Sequence, residues 1–291
     1  MTNIRPCGYY SCRQFSALYY KTVKGKHMSS NHYRIVVKVG TSTLTHETGK
    51  SDLYQIDKLA LVLSDIQNMG HEVILVSSGA IAVGSNKMRL ASRPDTIRMK
   101  QAAAAVGQCK LMFLYDKFFS YYNKTVAQIL LNAEDIEQEE KKYNLTNTFD
   151  ALLEQGVIPI VNENDSVSYT EIESEERLFS DNDMLSAVVA VLCQADKLVI
   201  LSDIDGFFDK DPRFYRDARL IERIDTIDES VYKLAGGAGS RRGTGGMRTK
   251  LQAAGLATAQ GIDTIITNGK RPEVLYDIID GQSAGTLFSG H

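Results

Sequence analysis

The sequence contains few cysteines, no long hydrophobic run and little net charge, and each absence excludes a class of protein. Its four cysteines form neither a C-x-x-C pair nor a zinc spacing, which favours reduced thiols in the cytoplasm over a disulfide framework or a structural metal site. No apolar run reaches the roughly 18 residues that a membrane-spanning helix needs. The net charge of −3 gives no general attraction to nucleic acid or to an anionic membrane. We therefore expect a cytoplasmic protein without a nucleic-acid or membrane partner.

The amino-terminal segment differs in composition from the rest of the chain, because its first 30 residues contain five lysines and arginines and no acidic residue. A secretory signal peptide is excluded, since no continuous apolar stretch follows the basic positions. An organelle-targeting leader and an over-long start, with Met28 as the true first residue, stay open as alternatives. We expect residues 1–31 to be a disordered basic extension and residues 32–291 to form one domain.

From Arg34 onward, short apolar runs alternate with segments of helical periodicity. Unbroken runs rich in Val and Ile predict buried strands: RIVVKVG, HEVILVSSG, TVAQILL, VIPIVNEND, DKLVILSDIDG and GIDTIITNG. Helical spacing predicts helices between them: LYQIDKLALVLSDIQNMG, IRMKQAAAAVGQCKLMFLYDKFF, LTNTFDALLEQG and DNDMLSAVVAVLCQ. The alternation predicts a three-layer α/β/α sandwich with a mainly parallel central sheet.

Five of the predicted strands end in small or polar residues, in the motifs KVGTS, VSSGA, VNENDS, SDIDG and TNGK. Gly, Asn, Asp and Ser are also typical turn residues, so a single ending of this kind indicates nothing about function. Ligands of parallel sheets bind beyond the carboxyl ends of the strands. Several polar endings at that edge therefore favour a polar cleft.

Lys38 interrupts an otherwise apolar strand. A lysine in that position is costly unless its ammonium group meets a counter-charge. The alternative is an edge lysine that extends into solvent. We interpret Lys38 as a phosphate ligand near a strand end, with Gly40 allowing backbone amides to approach an anion closely.

Two motifs are rich in acidic residues: NEND follows a predicted strand, and FSDNDMLSA contains the start of a predicted helix. One residue among Asp181, Asn182 and Asp183 suffices as the helix N-cap, so the other two exceed what capping requires. Carboxylates near a phosphate site would repel it unless they bind an ammonium group, orient a lysine or hold magnesium. Magnesium needs only one or two protein carboxylates.

A glycine-rich segment, with six glycines in residues 236–246, leads directly into the helical sequence GGMRTK. It matches neither the P-loop pattern nor the dinucleotide-binding pattern. A flexible loop is the alternative interpretation. Free amides at a helix N-terminus bind anions, so we expect a phosphate site here, with Lys250 as a second lysine facing Lys38.

The motifs VVKVGTSTLT, VSSGAIAVG, KQAAAAVGQ, VNENDSV, FSDNDMLSA, LSDIDGFFDKDPR and GTGGMRTKLQAA together resemble the glutamate 5-kinases of the amino acid kinase family. The resemblance covers residues 34–287 in family order and implies the sandwich fold. It implies phosphorylation of the L-glutamate side-chain carboxylate by ATP with Mg²⁺, the first step of proline synthesis. Many members continue into a carboxy-terminal PUA-type domain, whereas this sequence ends at GTLFSGH, so we expect the kinase domain alone.

The resemblance also implies roles for individual residues. Lys38 and Lys250 would be catalytic ligands of the ATP phosphates, and Asp183 would orient these lysines or hold magnesium through water, with no direct protein ligand to the metal implied. The implied ATP-binding residues are Lys38, Gly40, Ser202, Asp203, Thr244, Gly245, Gly246, Met247, Arg248, Thr249 and Lys250.

On the substrate side, the resemblance implies that Ser78 contacts L-glutamate and that Asp165 and Asn182 hold its amino and carboxyl ends. Proline would inhibit by binding over the glutamate site, with the acidic stretch at residues 171–177 as the usual place of this control. Family members form dimers or tetramers, so we expect a homo-oligomer.

Two kinds of alternative stay open. The first is a related kinase of the same fold, acting on N-acetylglutamate, aspartate or UMP, for which different residues are expected at NENDSV. The second is a nucleotide-binding regulatory module without catalysis. Such a module would be expected to lack Lys38, Asp183 or Lys250, and all three are present.

Overall fold

The computed structural model describes residues 32–46, 48–167, 181–235 and 246–291, so the predicted extension at residues 1–31 lies outside the described part. The strands are β1 (Arg34–Val39), β2 (Glu72–Val76), β3 (Val126–Leu131), β4 (Ile158–Glu163), β5 (Lys197–Ser202), β6 (Arg223–Ile224), β7 (Asp263–Asn268) and β8 (Thr286–Phe288). The helices are α1 (Thr41–Leu44), α2 (Leu53–Asn68), α3 (Ala80–Lys87), α4 (Ile97–Tyr121), α5 (Ala133–Glu137), α6 (Glu139–Glu154), α7 (Asn182–Leu192), α8 (Glu229–Leu234), α9 (Met247–Thr258) and α10 (Val274–Ile279).

The described strands form one sheet in the order β3-β4-β2-β1-β5-β7-β8-β6. β7 and β8 pair antiparallel, and the other neighbours pair parallel, which confirms the predicted mainly parallel sheet. The order reverses between β1 and β5, because the chain first adds strands on one side of β1 and then returns to its other side. A crevice at the carboxyl ends of two such strands is where ligands of these sheets bind.

Alternate side chains of each central strand enter two different hydrophobic cores, one on each face of the sheet. In β1, Val36 packs with residues of α7 and α9, whereas Ile35 and Val37 pack with residues of α2, α4 and α10. Both faces are covered, which explains the unbroken Val/Ile runs and confirms the three-layer sandwich. No helix in the described ranges combines the length and the apolar character needed to cross a lipid bilayer.

Helices α3 and α4 approach so closely that their backbones are in contact. A Cβ atom on Gly84 would lie 1.7 Å from the Ala103 carbonyl oxygen, and one on Gly107 would lie 1.8 Å from the Ala80 carbonyl oxygen. Only glycine permits such an approach. Because α3 begins two residues after Ser78, this contact also sets how the end of β2 meets α4.

Substitution Gly84→Ala is expected to lower the free energy of unfolding by about 3 kcal/mol, because the opposing atoms belong to backbone that cannot move aside cheaply. Gly255→Ala in α9 is the matched control, since a Cβ there meets just the Tyr232 hydroxyl at 3.8 Å. That control is expected to stabilise the protein by up to about 1 kcal/mol through helix propensity. Urea unfolding measures both, and equal midpoints for the two variants would contradict the close contact.

Candidate active site

Two lysines from distant parts of the chain meet one buried aspartate at the carboxyl edge of the sheet. Lys38 Nζ lies 2.6 Å from Asp183 Oδ1, and Lys250 Nζ lies 2.9 Å from Asp183 Oδ2. Asp183 is 1% exposed and each lysine is 7% exposed. We call these residues the lysine–aspartate triad. With both lysines protonated, its charges sum to +1 in a buried position, which favours an anionic ligand.

Local structure explains how Lys38 and Asp183 come to face each other. Alternation along β1 puts Lys38 on the same face as Val36, which is covered by α7 and α9. Asp181 caps α7 by accepting hydrogen bonds from the backbone amides of Asp183 and Met184, at 2.9 and 3.1 Å. The cap holds the first turn of α7 with Asp183 above the end of β1.

The Asp183 carboxyl stays ionised although it is buried. Burial alone would raise its pKa, but the charges of Lys38 and Lys250 and their hydrogen bonds outweigh burial and lower the pKa from 3.8 to about 2. The stability that this carboxylate contributes is therefore present above its ordinary pKa and is lost as the pH falls through about 2. At neutral pH the Asp183 carboxyl is therefore a buried anion that interacts with two lysines.

The surroundings of the triad can accept a polyphosphate. Helix α9 begins after Gly246, which has no side chain to satisfy the first backbone amides. Thr249 Oγ1 lies 3.3 Å from Asp183 Oδ2 and 3.0 Å from the Gly246 carbonyl oxygen. A Cβ on Gly40 would lie 3.8 Å from Lys38 Nζ, so glycine leaves the space beside that ammonium group open.

Asn182, next to Asp183, connects three elements. Its Nδ2 donates to the Ser77 carbonyl oxygen at 2.7 Å, to Ser78 Oγ at 2.9 Å and to Asn162 Oδ1 at 3.0 Å. The two hydrogens of an amide nitrogen are satisfied by these acceptors. The predicted substrate residues Ser78 and Asn182 are therefore in contact, and Oδ1 is the Asn182 atom left for a ligand.

Asn162 and Gln108 belong to this network, and the sequence did not identify them as site residues. Asn162 is buried at the end of β4, where its Oδ1 accepts from the Glu163 backbone amide at 2.9 Å. Its Nδ2 donates to Gln108 Oε1, 54 residues away in the chain, at 2.9 Å. The available signal for Asn162 was a buried amide at the end of an apolar strand, and the signal for Gln108 was its place at the end of the motif KQAAAAVGQ.

A cavity of about 280 Å³ opens beside this network, bounded by α4 and by the ends of β3 and β4. Ala80, Ala104, Gln108, Gln128 and Asp165 are among its lining residues. The volume is several times the roughly 30 Å³ share of one water molecule, so a small organic ligand fits. Burial raises the pKa of the Asp165 carboxyl from 3.8 to about 6. A cationic ligand beside it would favour the ionised form and lower this pKa.

Ser202 and Asp203 lie at the end of β5, next to β1 in the sheet. Ser202 is buried and its Oγ donates to Asp203 Oδ1 at 3.2 Å, whereas Asp203 is exposed. Within the described residues, neither forms a hydrogen bond or ion pair with the triad. They lie beside the crevice, and their contact with the nucleotide stays a prediction.

The remaining predicted nucleotide residues surround the start of α9. Met247 packs against the core, and Arg248 is exposed. The predicted Thr244 and Gly245 fall outside the described residues, as does the acidic stretch at residues 171–177.

Comparison with known proteins identifies the family. A sequence model of the amino acid kinase family matches residues 33–268. Glutamate 5-kinase of Clostridium perfringens is 58% identical over 255 residues, which are 88% of this chain and 94% of that protein. Glutamate 5-kinase of Enterococcus faecalis is 51% identical over 260 residues, which are 89% of this chain and 96% of that protein.

Solved structures agree on the fold. Carbamate kinase from Giardia lamblia bound to AMP-PNP superposes with a TM-score of 0.64 at 17% identity, covering 90% of this chain and 99% of that one. At that identity the likeness shows the fold alone. The chain belongs to the amino acid kinase family and, within it, to the glutamate 5-kinases.

Proposed function

We propose that the chain transfers the γ-phosphoryl group of ATP to the side-chain carboxylate of L-glutamate, forming L-glutamyl 5-phosphate and ADP at the first step of proline biosynthesis. The lysine–aspartate triad carries the proposal, because it holds two ammonium groups side by side at the crevice of the sheet. Identities of 58% and 51% to glutamate 5-kinases support L-glutamate as the acceptor.

The reaction needs charge compensation and alignment, not a proton acceptor. The side-chain carboxylate of L-glutamate, with an ordinary pKa of about 4.3, is ionised at neutral pH. One of its oxygens bonds to the γ-phosphorus while the bond from that phosphorus to the β–γ bridging oxygen breaks, and ADP leaves with the electron pair. Lys38 and Lys250 offset the repulsion between the two anions, and Asp183 keeps the two ammonium groups in place.

ATP and Mg²⁺ suit the residues of this edge. Two buried ammonium groups, the first amides of α9 and the open space beside Gly40 are complementary to a triphosphate. The described residues contain no group of three or more His, Cys, Asp or Glu side chains arranged around a metal ion. We propose that Mg²⁺ is held mainly by phosphate oxygens and water, which neutralises phosphate charge with at most one or two protein carboxylates.

Asp165 is proposed to accept the substrate ammonium group, which gives a pH dependence. Its carboxyl has a pKa of about 6, and a bound ammonium requires the ionised form. Below pH 6 the KM for L-glutamate is therefore expected to rise about tenfold per pH unit, with kcat little changed. Titratable groups of the amino acid do not interfere between pH 5 and 7. Steady-state kinetics at saturating ATP over this range measure it.

The variant Asp165→Asn separates this effect from loss of folding. It is expected to raise KM and to remove its pH dependence between pH 5 and 7. It should not destabilise the protein at pH 7, because the raised pKa favours the fold below the ordinary pKa of 3.8 and that contribution is lost as the pH rises through about 6. A KM that stays flat with pH in the unsubstituted enzyme would contradict the role of Asp165.

Acyl-phosphate formation tests the function directly. Purified protein with ATP and Mg²⁺ is supplied with L-glutamate, N-acetylglutamate or L-aspartate, and the product is trapped with hydroxylamine as the hydroxamate. We expect turnover with L-glutamate alone. Turnover with another acid would retain the phosphotransfer and change the substrate. ATP binding without turnover on any acid would favour a regulatory module and overturn the proposal.

We also propose that L-proline inhibits the enzyme, that the chain forms a homo-oligomer, dimer or tetramer, and that it acts in the cytoplasm. Proline carries an ammonium and a carboxylate on one carbon, as glutamate does, so it would compete for the cavity beside Asp165. Adding proline to the hydroxamate assay tests the inhibition. Light scattering after size-exclusion chromatography measures the oligomeric state.

A further inference from the structure

A chain of side-chain amides leads from the backbone of β4 to the wall of the 280 Å³ cavity. The two ends of an amide are alike in shape, but a backbone N–H is always a donor. The Glu163 backbone amide donates to Asn162 Oδ1 at 2.9 Å, which fixes the orientation of Asn162. Its Nδ2 must therefore be the atom that faces Gln108.

The orientation of Gln108 follows from that of Asn162. Since Asn162 Nδ2 donates at 2.9 Å, the Gln108 atom that receives the hydrogen bond is Oε1. The Gln108 Nε2, with two hydrogens, is then the free end of the chain. Among the described residues it has no acceptor, and Gln108 lines the cavity together with Asp165.

The neighbouring amide, Asn182, cannot supply the same hydrogen bond. Its Nδ2 is held by the Ser77 carbonyl oxygen at 2.7 Å, an atom that only accepts, and by Ser78 Oγ and Asn162 Oδ1. Asn182 thus offers an acceptor to a ligand, as Asp165 does, whereas Gln108 offers donors. The cavity wall combines the donors of Gln108 with the acidic side chains of Glu163 and Asp165, which is complementary to a carboxylate and an ammonium group on one carbon atom.

We infer that Gln108 Nε2 donates to the α-carboxylate of the amino-acid substrate while Asp165 accepts from its ammonium group. This inference rests on the proposed function and identifies which residues bind the two charged groups on the α-carbon of the substrate. Asn162 is a positioning residue, because it acts on the substrate through Gln108. The side-chain carboxylate of the substrate is then left to extend toward Ser78 and the triad.

Substitution Gln108→Glu tests the inference. Glutamate keeps an oxygen that accepts from Asn162 Nδ2, so a merely structural role for Gln108 predicts kinetics like those of the unsubstituted enzyme. Loss of the donor is expected to raise the KM for L-glutamate at least about tenfold, the scale of one hydrogen bond to a charged group, with kcat within about threefold. With L-glutamic acid α-amide, which can donate to the new carboxylate, the preference is expected to shift: the ratio of kcat/KM for L-glutamate to that for the amide falls at least about tenfold.

Gln128→Glu is the matched control, since Gln128 also lines the cavity but is an exposed residue of β3. It adds the same charge to the cavity wall without removing the donor that Asn162 orients, so any rise in its KM measures the effect of charge alone and is expected to be several-fold smaller than the rise in Gln108→Glu. An equal rise in KM for both variants, or an unchanged substrate preference in Gln108→Glu, would overturn the inference. Turnover of L-glutamate by the unsubstituted protein tests the proposed function separately. A failure of the inference about Gln108 is therefore distinguishable from a failure of the proposed function.

Discussion

Replacing Asp183 with asparagine is expected to lower kcat at least about 100-fold and to destabilise the protein by roughly 3–5 kcal/mol. The carboxylate forms an ion pair with Lys38 at one oxygen and accepts a hydrogen bond from Lys250 at the other. Without it, two ammonium groups lie side by side in a buried position with no counter-charge. Repulsion moves them apart, which costs folding free energy and removes the alignment on which phosphoryl transfer depends.

Steady-state kinetics and urea unfolding of Asp183→Asn measure the two effects. Asp263→Asn is the control, because Asp263 pairs with Lys197 at 3.6 Å at the opposite, amino edge of the sheet. Its kcat is expected to stay near that of the unsubstituted enzyme. If Asp183→Asn fails to fold, the double variant Lys38→Met/Asp183→Asn, with one ammonium group fewer, is expected to recover stability but not turnover. Near-normal turnover in either variant would contradict the role of Asp183.

Removing one lysine is expected to have a different signature, with turnover lost and stability retained. Lys38→Met or Lys250→Met leaves Asp183 paired with the other lysine, so the buried charges sum to zero and not to +1. The methionine side chain fills the apolar surroundings. We expect kcat to fall well over tenfold, on the order of 10²–10³, as for loss of one group that stabilises transition-state charge.

Lys197→Met serves as the control for both lysine variants, since Lys197 is also a lysine of a central strand with a carboxylate partner, far from the crevice. Its turnover is expected to be unaffected. Comparison of kcat with the urea midpoint separates chemistry from folding. A lysine variant that keeps near-normal kcat would refute the role assigned to that lysine, and one that loses stability as Asp183→Asn does would refute the charge argument.

Much of the fold could be read from the sequence, because its signals are local. Unbroken Val/Ile runs such as that around Lys38 predict strands buried on both faces, and the long helices α2, α4, α6 and α7 show their periodicity directly. The short helices α1, α3, α8 and α10 were not predicted. Strands β6 and β8 were missed, since two or three residues carry no period. The resemblance implied Lys38, Asp183 and Lys250 as one site, and the structure brings these residues into contact.

The sequence by itself determined the layers, the edge of the sheet at which polar residues collect, and the chemical groups present there. The resemblance implied that Asp183 orients both lysines or holds magnesium through water, and the tertiary structure shows which contacts its carboxylate makes. Lys38 and Lys250 both meet it, although Asp183 and Lys250 are 67 residues apart, because the register of two helices on the sheet sets their contact. The tertiary structure also decided the direction of each amide in the Asn162–Gln108 pair. A hydrogen bond has a donor and an acceptor, and which end of a side-chain amide plays which part depends on the neighbours that folding brings to it.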